Sequence, residues 1–134
     1  MTNLIMHLDY CSSTLFFAAG DEFFPEADWV DLVSADLELW IPGLTSFFTG
    51  HTDFCCLDFM DGPFSLQLLR SGNGVRARFL KNGTDCLPEC TPDEPYLIRS
   101  VVKALRGFNR ARFEAGEESL YVKETAILNQ LLRK

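Results

Sequence analysis

Apolar and polar positions alternate most regularly in the middle of the chain. Residues 53–60 form an apolar run, and residues 64–70 and 75–80 each alternate apolar and polar side chains. Asp61-Gly62-Pro63 and Ser71-Gly72-Asn73-Gly74 separate these segments with residues that favour turns. The pattern predicts an antiparallel meander with one buried face and one face in contact with water.

The chain before this meander is less regular. Residues 3–9 and 14–19 have the composition of strands, and the acidic residues 21–28 predict a loop. Residues 29–40 fit two patterns, because part of the segment alternates like a strand and part has helical spacing. A short helix that runs to Phe48 is predicted, with Pro42 in its first turn and Gly50 ending it.

The chain after the meander favours helices. Residues 82–93 contain Gly and Pro and predict a loop. A long helix follows, capped either by Thr91 with Glu94 or by Asp93, and Gly116 ends it. Its apolar stripe has helical spacing and comprises Leu97, Ile98, Val101, Leu105 and Phe108. The apolar residues between Leu120 and Leu132 predict a final helix.

These elements predict an α+β fold. One antiparallel sheet, made of the meander over residues 53–80 and the N-terminal strands, is covered on one face by two C-terminal helices. The length of 134 residues suits a single domain, residues 1–134. No apolar run reaches the roughly 18 residues that span a bilayer, so no membrane partner is expected. Residues 1–3 carry no positive charge ahead of an apolar stretch, so we expect no secretory signal and a cytoplasmic location.

Charge divides the chain into two unequal halves. Residues 1–69 contain eleven acids and no Lys or Arg, whereas residues 70–134 contain all twelve basic residues and eight acids. The sums of −11 and +4 give the net charge of −7. Nucleic-acid-binding domains are usually basic, so no nucleic-acid partner is expected. Two arrangements are open: the halves form separate charged surfaces, or they pack together and pair their charges.

Five cysteines, an odd number with no predicted signal peptide, indicate reduced thiols. Cys86 and Cys90 have a spacing seen in zinc ligand pairs, and a disulfide between them is an alternative. His7 and His51 are isolated and supply no further ligand pair, so we expect no metal and no cofactor. Cys11 with His7 is the only local nucleophile–base pair, but four residues along a strand separate them by about 13 Å. We therefore expect no catalytic residues.

The segment from Asp21 to Glu38 holds seven acids together with aromatic side chains. This mixture favours binding to a basic protein, because charge speeds encounter and an aromatic side chain adds affinity. The alternative is that the aromatics belong to the core and the acids aid solubility. The candidate partner-binding residues are Asp21, Glu22, Phe23, Phe24, Glu26, Asp28, Asp36 and Glu38.

One face of the long predicted helix carries a basic stripe. Its members step by four, three and four residues and are Arg99, Lys103, Arg106 and Arg110. Such a stripe can hold phosphates or RNA. The alternatives are a solvated helix face or pairing with the acidic half.

Three short motifs remain: Phe59-Met60-Asp61-Gly62-Pro63-Phe64, Phe16-Phe17 and Trp29-Val30-Asp31. Together, over residues 14–80, they resemble small bacterial immunity-type proteins, the cytosolic antidotes encoded beside polymorphic or contact-dependent growth-inhibition toxins. The resemblance implies a protein that binds one toxin domain, blocks it and has no catalysis of its own. Many such toxins are nucleases with basic clefts, which an acidic patch would plug by imitating phosphate.

The leading hypothesis is therefore an immunity-type inhibitor that binds a basic toxin domain through an acidic surface. One alternative is a small enzyme with a carboxylate or Cys site between the sheet and the helices. Another is a structural domain that self-associates through an exposed strand edge. The sequence leaves the oligomeric state open.

Overall fold

The computed structural model of the chain describes residues 2–72 and 74–133. The strands are β1 (Leu4–Asp9), β2 (Thr14–Ala19), β3 (Glu22–Phe24), β4 (Phe54–Asp58), β5 (Phe64–Ser71), β6 (Gly74–Lys81) and β7 (Thr84–Cys90). The helices are α1 (Val33–Phe48), α2 (Glu94–Glu114) and α3 (Val122–Leu131). The predicted α+β class is confirmed. Among the described residues, every helix is too short or too polar to cross a membrane.

The strands form two antiparallel sheets, whereas the sequence predicted one. The first sheet has the order β1-β2-β3 and the second has the order β4-β5-β6-β7. The predicted meander is the first three strands of the second sheet, and its β5–β6 register pairs Leu66 with Phe79 and Leu68 with Ala77. All four of these side chains are buried, so the apolar face fixes the register. Asn73 of the predicted hairpin turn lies outside the described residues.

Two strands lie inside segments that were predicted to be loops. β3 occupies part of residues 21–28 and is only three residues long, too short for an alternating pattern to show. β7 occupies most of residues 82–93 and forms an exposed edge of the second sheet. Its pairing with β6 shifts register between Ala77 and Leu80, which removes the regular alternation of buried and exposed positions. Pro88 fits there because an edge strand tolerates a missing N–H group.

Residues 33–40, from the segment that fits both a strand and a helix pattern, and the residues of the predicted short helix together form one helix, α1. It begins at Val33, so the prediction that Pro42 lies in the first turn of the helix was wrong. Pro42 lies on an exposed side of α1, as does Glu38, whose carbonyl lacks its usual N–H partner. Water can satisfy that carbonyl, and burial of the opposite face offsets the loss. The buried apolar residues of α1 are Val33, Leu37, Trp40, Ile41, Leu44, Phe47 and Phe48.

The sequence predicted that two C-terminal helices cover one sheet. In the structure, all three helices pack, and they contact different parts of the two sheets. α1 packs against β4, α2 packs against β1, and α3 contacts both α1 and α2. The Met6 N–H on β1 donates to Ser100 Oγ on α2 at 3.1 Å, so α2 covers the outer edge of the first sheet. Buried residues from both sheets and all three helices form one core cluster, from Leu4 to Leu128.

The start and end of α2 follow the sequence signals. The Asp93 carboxylate accepts a hydrogen bond from the Tyr96 N–H at 3.3 Å, so Asp93 is the cap and not Thr91. Gly116 follows the end of the helix with a φ of 78°, a conformation that glycine adopts at low cost.

Candidate functional site

Residues 21–28 carry four exposed carboxylates, which we call the acidic segment: Asp21, Glu22, Glu26 and Asp28. Asp21 and Glu22 lie at the turn into β3, and Glu26 and Asp28 lie in the loop that follows. None of the four forms an ion pair with a described Lys or Arg. Their charges are therefore available to a partner.

Ion pairs among the described residues join only residues of the second half of the chain. They are Arg70–Glu94, Arg76–Glu89, Arg78–Asp85 and Arg112–Glu117. The eleven acids of residues 1–69 take part in none of them. The alternative in which the two halves pair their charges directly is therefore wrong for the described residues. The acids of the first half therefore form no close ion pair with a described Lys or Arg, although the Asp53 charge still acts on Arg70 at longer range.

Phe23 is the exposed aromatic side chain of the acidic segment, with 44% of its surface accessible. It lies on the outer face of the first sheet, where its ring meets Phe16 edge-on at 6.1 Å between centroids. Phe16 in turn stacks on His7 at 4.8 Å. His7, Phe16 and Phe23 form an aromatic row across all three strands of this sheet. Because side chains alternate along β3, Glu22 points to the other face.

Phe24 cannot contact a partner, because only 1% of its surface is accessible. Its ring contacts Phe59, Phe64 and Phe79 in edge-on arrangements, with centroids 5.2 to 5.8 Å apart. The prediction that places Phe24 on a binding surface is therefore wrong. In this strand, the alternation puts Phe24 in the core and Phe23 outside.

Asp36 is also misplaced by the sequence prediction, because its side chain is fully buried at the start of α1. Its Oδ1 accepts a hydrogen bond from the Met60 N–H at 2.9 Å, and its Oδ2 has no partner among the described residues. Burial raises the pKa of Asp36 to about 8, and the neighbouring Asp31 carboxyl adds to this rise. A proton on Asp36 makes one of its oxygens a donor that faces Asp31. Asp36 therefore belongs to the interior.

Asp31 is the second buried acid, with 4% of its surface accessible. The Trp29 Nε1–H donates to its Oδ2 at 2.7 Å and the Leu32 N–H donates to its Oδ1 at 2.8 Å. The Asp61 N–H lies 3.3 Å from both oxygens. The pair Asp31 and Asp36 thus fastens the loop after β4 to the start of α1. The sequence patterns did not identify this buried pair. Helical spacing from Val33 would have placed Asp36 on the apolar stripe of α1, because it lies three residues after Val33.

Glu38 is exposed but lies away from the acidic segment in its contacts. It follows Asp36 by two residues, so it points about 200° around the helix from that buried side chain. Burial raises the pKa of Tyr121 at the start of α3, and the nearby Glu38 charge adds to this rise. The eight predicted residues therefore divide into an acidic segment with Phe23, two buried residues and one separate glutamate.

The candidate cysteine and histidine sites do not assemble. Cys86 and Cys90 lie four residues apart on β7, about 13 Å at about 3.3 Å per residue, which is too far for a disulfide. His7 belongs to the aromatic row, and Cys11 lies in the exposed turn after β1, where its N–H donates to Asp9. Over residues 2–72 and 74–133, no group of three or more His, Cys, Asp or Glu side chains has a metal-binding arrangement.

No family model matches the chain, and comparisons with curated proteins and with solved structures gave no match either. Function is therefore argued from the surface itself.

Proposed function

We propose that the protein is a cytoplasmic immunity-type inhibitor that binds a basic toxin domain through its acidic segment. The observation that carries the proposal is the absence of any ion pair between the acids of residues 1–69 and a described Lys or Arg. Unpaired, exposed carboxylates attract a cationic partner at long range and can then form ion pairs with it.

Phe23 adds an apolar contact to this surface. Phe23 is half exposed in the same segment, on the opposite face of β3 from Glu22, and exposed aromatic rings of this kind are common in binding hot spots because they bury a large area. The resemblance of the motifs between residues 14 and 80 to immunity-type proteins supports the same partner class. A basic nuclease cleft would offer the cations that the acidic segment lacks.

The test measures affinity for the C-terminal domain of the protein encoded by the adjacent reading frame. A fourfold variant replaces Asp21, Glu22, Glu26 and Asp28 with Lys. Its matched control places Lys at four other exposed acids, Asp53, Asp58, Glu114 and Glu118. We expect the first variant to lose at least about a hundredfold in affinity and most of its salt dependence, while the control retains more of both. Equal affinity of the wild type and the first variant would contradict the proposal.

A further inference from the structure

A groove between α2 and α3 exposes the basic stripe. It has a volume of about 530 Å³, and its lining includes Arg99, Lys103, Arg106 and Arg110. All four side chains are exposed, and none forms an ion pair with a described acid. The arginines that do form ion pairs lie elsewhere, on the second sheet and at the end of α2. The groove is therefore a concentrated positive surface on a chain whose net charge is −7.

The shape of this groove favours an extended or helical ligand. From Arg99 to Arg110 the cations follow one face of α2 for about 16 Å, at about 1.5 Å per residue. Leu132 lines the same groove and is partly exposed, whereas Val102 beneath it is buried, and Asn129 supplies a side-chain amide. The site thus combines a row of positive charges with a small apolar patch at Leu132.

We propose that this groove binds an acidic amphipathic peptide segment of a partner protein. Carboxylates repeated at each turn of such a peptide would face the cations, and an apolar side chain would rest on the partly exposed Leu132. A phosphate polymer fits less well, because the net charge of −7 repels a long polyanion and the apolar patch at Leu132 offers phosphate nothing. The proposed site is separate from the acidic segment and independent of the function proposed for it.

The probe is a fluorescein-labelled synthetic peptide of about 16 residues, with Glu at helical spacing on one face and Leu on the adjacent face. Binding is measured by anisotropy with the full chain. The groove variant is Lys103→Glu with Arg106→Glu. The two new acids lie four residues from Arg99 and Arg110, so they form stabilising pairs within α2 and the helix is expected to fold. The matched control is Lys81→Glu with Lys123→Glu, which makes the same charge change at exposed positions outside the groove.

We expect the groove variant to bind at least about tenfold more weakly than the control variant. A second peptide with Gln in place of Leu should also bind more weakly than the first, because it loses the apolar contact. Equal affinities of the two protein variants would overturn the proposal. Tighter binding of a single-stranded RNA oligonucleotide would overturn it in favour of a nucleic-acid site. Self-association in sedimentation that the groove variant abolishes would overturn it in favour of a second copy of this chain.

Discussion

The Asp36 carboxyl lies fully buried beside the Asp31 carboxyl, and the two acids hold the same loop. Asp36 accepts the Met60 N–H and Asp31 accepts the Asp61 N–H. The pair therefore joins the start of α1 to the turn that leads into β5. Because the pKa of Asp36 rises from 3.8 to about 8, the folded protein keeps a proton that the unfolded chain releases in mild acid.

The free energy of unfolding is expected to fall as the pH rises through this interval. Between pH 4 and pH 8 the folded state binds the extra proton, so each pH unit costs about 1.4 kcal/mol of stability. Asp36→Asn keeps the shape of the protonated side chain and has no proton to lose. We expect the variant to be more stable than the wild type at pH 8 and to show a flatter pH dependence. Urea midpoints at pH 5 and pH 8 measure both effects.

Asp21→Asn is the control for this prediction, because Asp21 is exposed and outside the buried pair. Its pH dependence should match that of the wild type. A wild-type slope in Asp36→Asn would show that the buried proton is not on Asp36.

Two features favour glycine at position 62: a positive φ and close neighbouring side chains. Its φ is +93°, and an added Cβ would lie 3.3 Å from Phe64 Cδ2 and 3.4 Å from Trp29 Cζ2. Gly62→Ala should therefore lower the free energy of unfolding by about 1–3 kcal/mol. Gly72→Ala isolates the conformational part, since its φ is +59° and no described residue beyond its chain neighbours has an atom within 4 Å of the added Cβ. Urea denaturation should show the smaller loss at Gly72, and equal losses would rule out the contact contribution.

Arg70 joins β5 to α2 and α1 with a geometry that lysine cannot reproduce. Its guanidinium donates to both Glu94 oxygens, at 3.0 and 2.8 Å, and to the Phe47 carbonyl at 3.1 Å. Arg70→Lys should cost about 1–3 kcal/mol, because one ammonium group cannot hold this fork. The more exposed pair Arg76–Glu89 provides the comparison, and Arg76→Lys should cost clearly less stability than Arg70→Lys. Thermal unfolding of both variants checks the difference, and the reverse order would contradict it.

Phe23 and Phe24 are neighbours in sequence, but Phe23 is half exposed and Phe24 is buried. Replacing each with alanine therefore compares an exposed position with a core position. Phe24→Ala should cost about 3–5 kcal/mol, because it leaves a cavity among three other phenylalanine rings. Phe23→Ala should cost less than about 1 kcal/mol in stability and should weaken partner binding. Denaturation curves and affinity measurements on the same Phe23→Ala sample test both statements. A large loss of stability at Phe23 would mean that its ring mainly supports the aromatic row.

Sequence patterns located the elements whose side chains alternate or repeat over many residues. β2, β5, β6 and α2 are examples, because each has one continuous apolar face. β3 and β7 were missed because one is very short and the other is an irregular edge strand. The start of α1 was missed because Pro42 suggested a boundary that the packing around Trp40 overrides.

The candidate site was predictable in composition and not in arrangement. A run of acidic residues in the sequence correctly pointed to exposed carboxylates at Asp21 and Glu22. For an acid inside a helix, however, the sequence does not show whether it lies on the exposed or the buried face. Asp36 shows this, since the patterns left residues 29–40 open between strand and helix. Among the described residues, the acids of residues 1–69 form no ion pairs with Lys or Arg. That absence depends on contacts between distant segments, which amino-acid composition cannot predict.

The bond from the Met6 amide to Ser100 has a consequence for synthesis on the ribosome. The helix that covers the outer edge of β1 is made more than ninety residues after that strand, since Met6 and Ser100 are 94 residues apart. Until then the nascent chain presents an open strand edge that other polypeptides can join. The three strands of the first sheet are therefore made well before the helix that protects their outer edge.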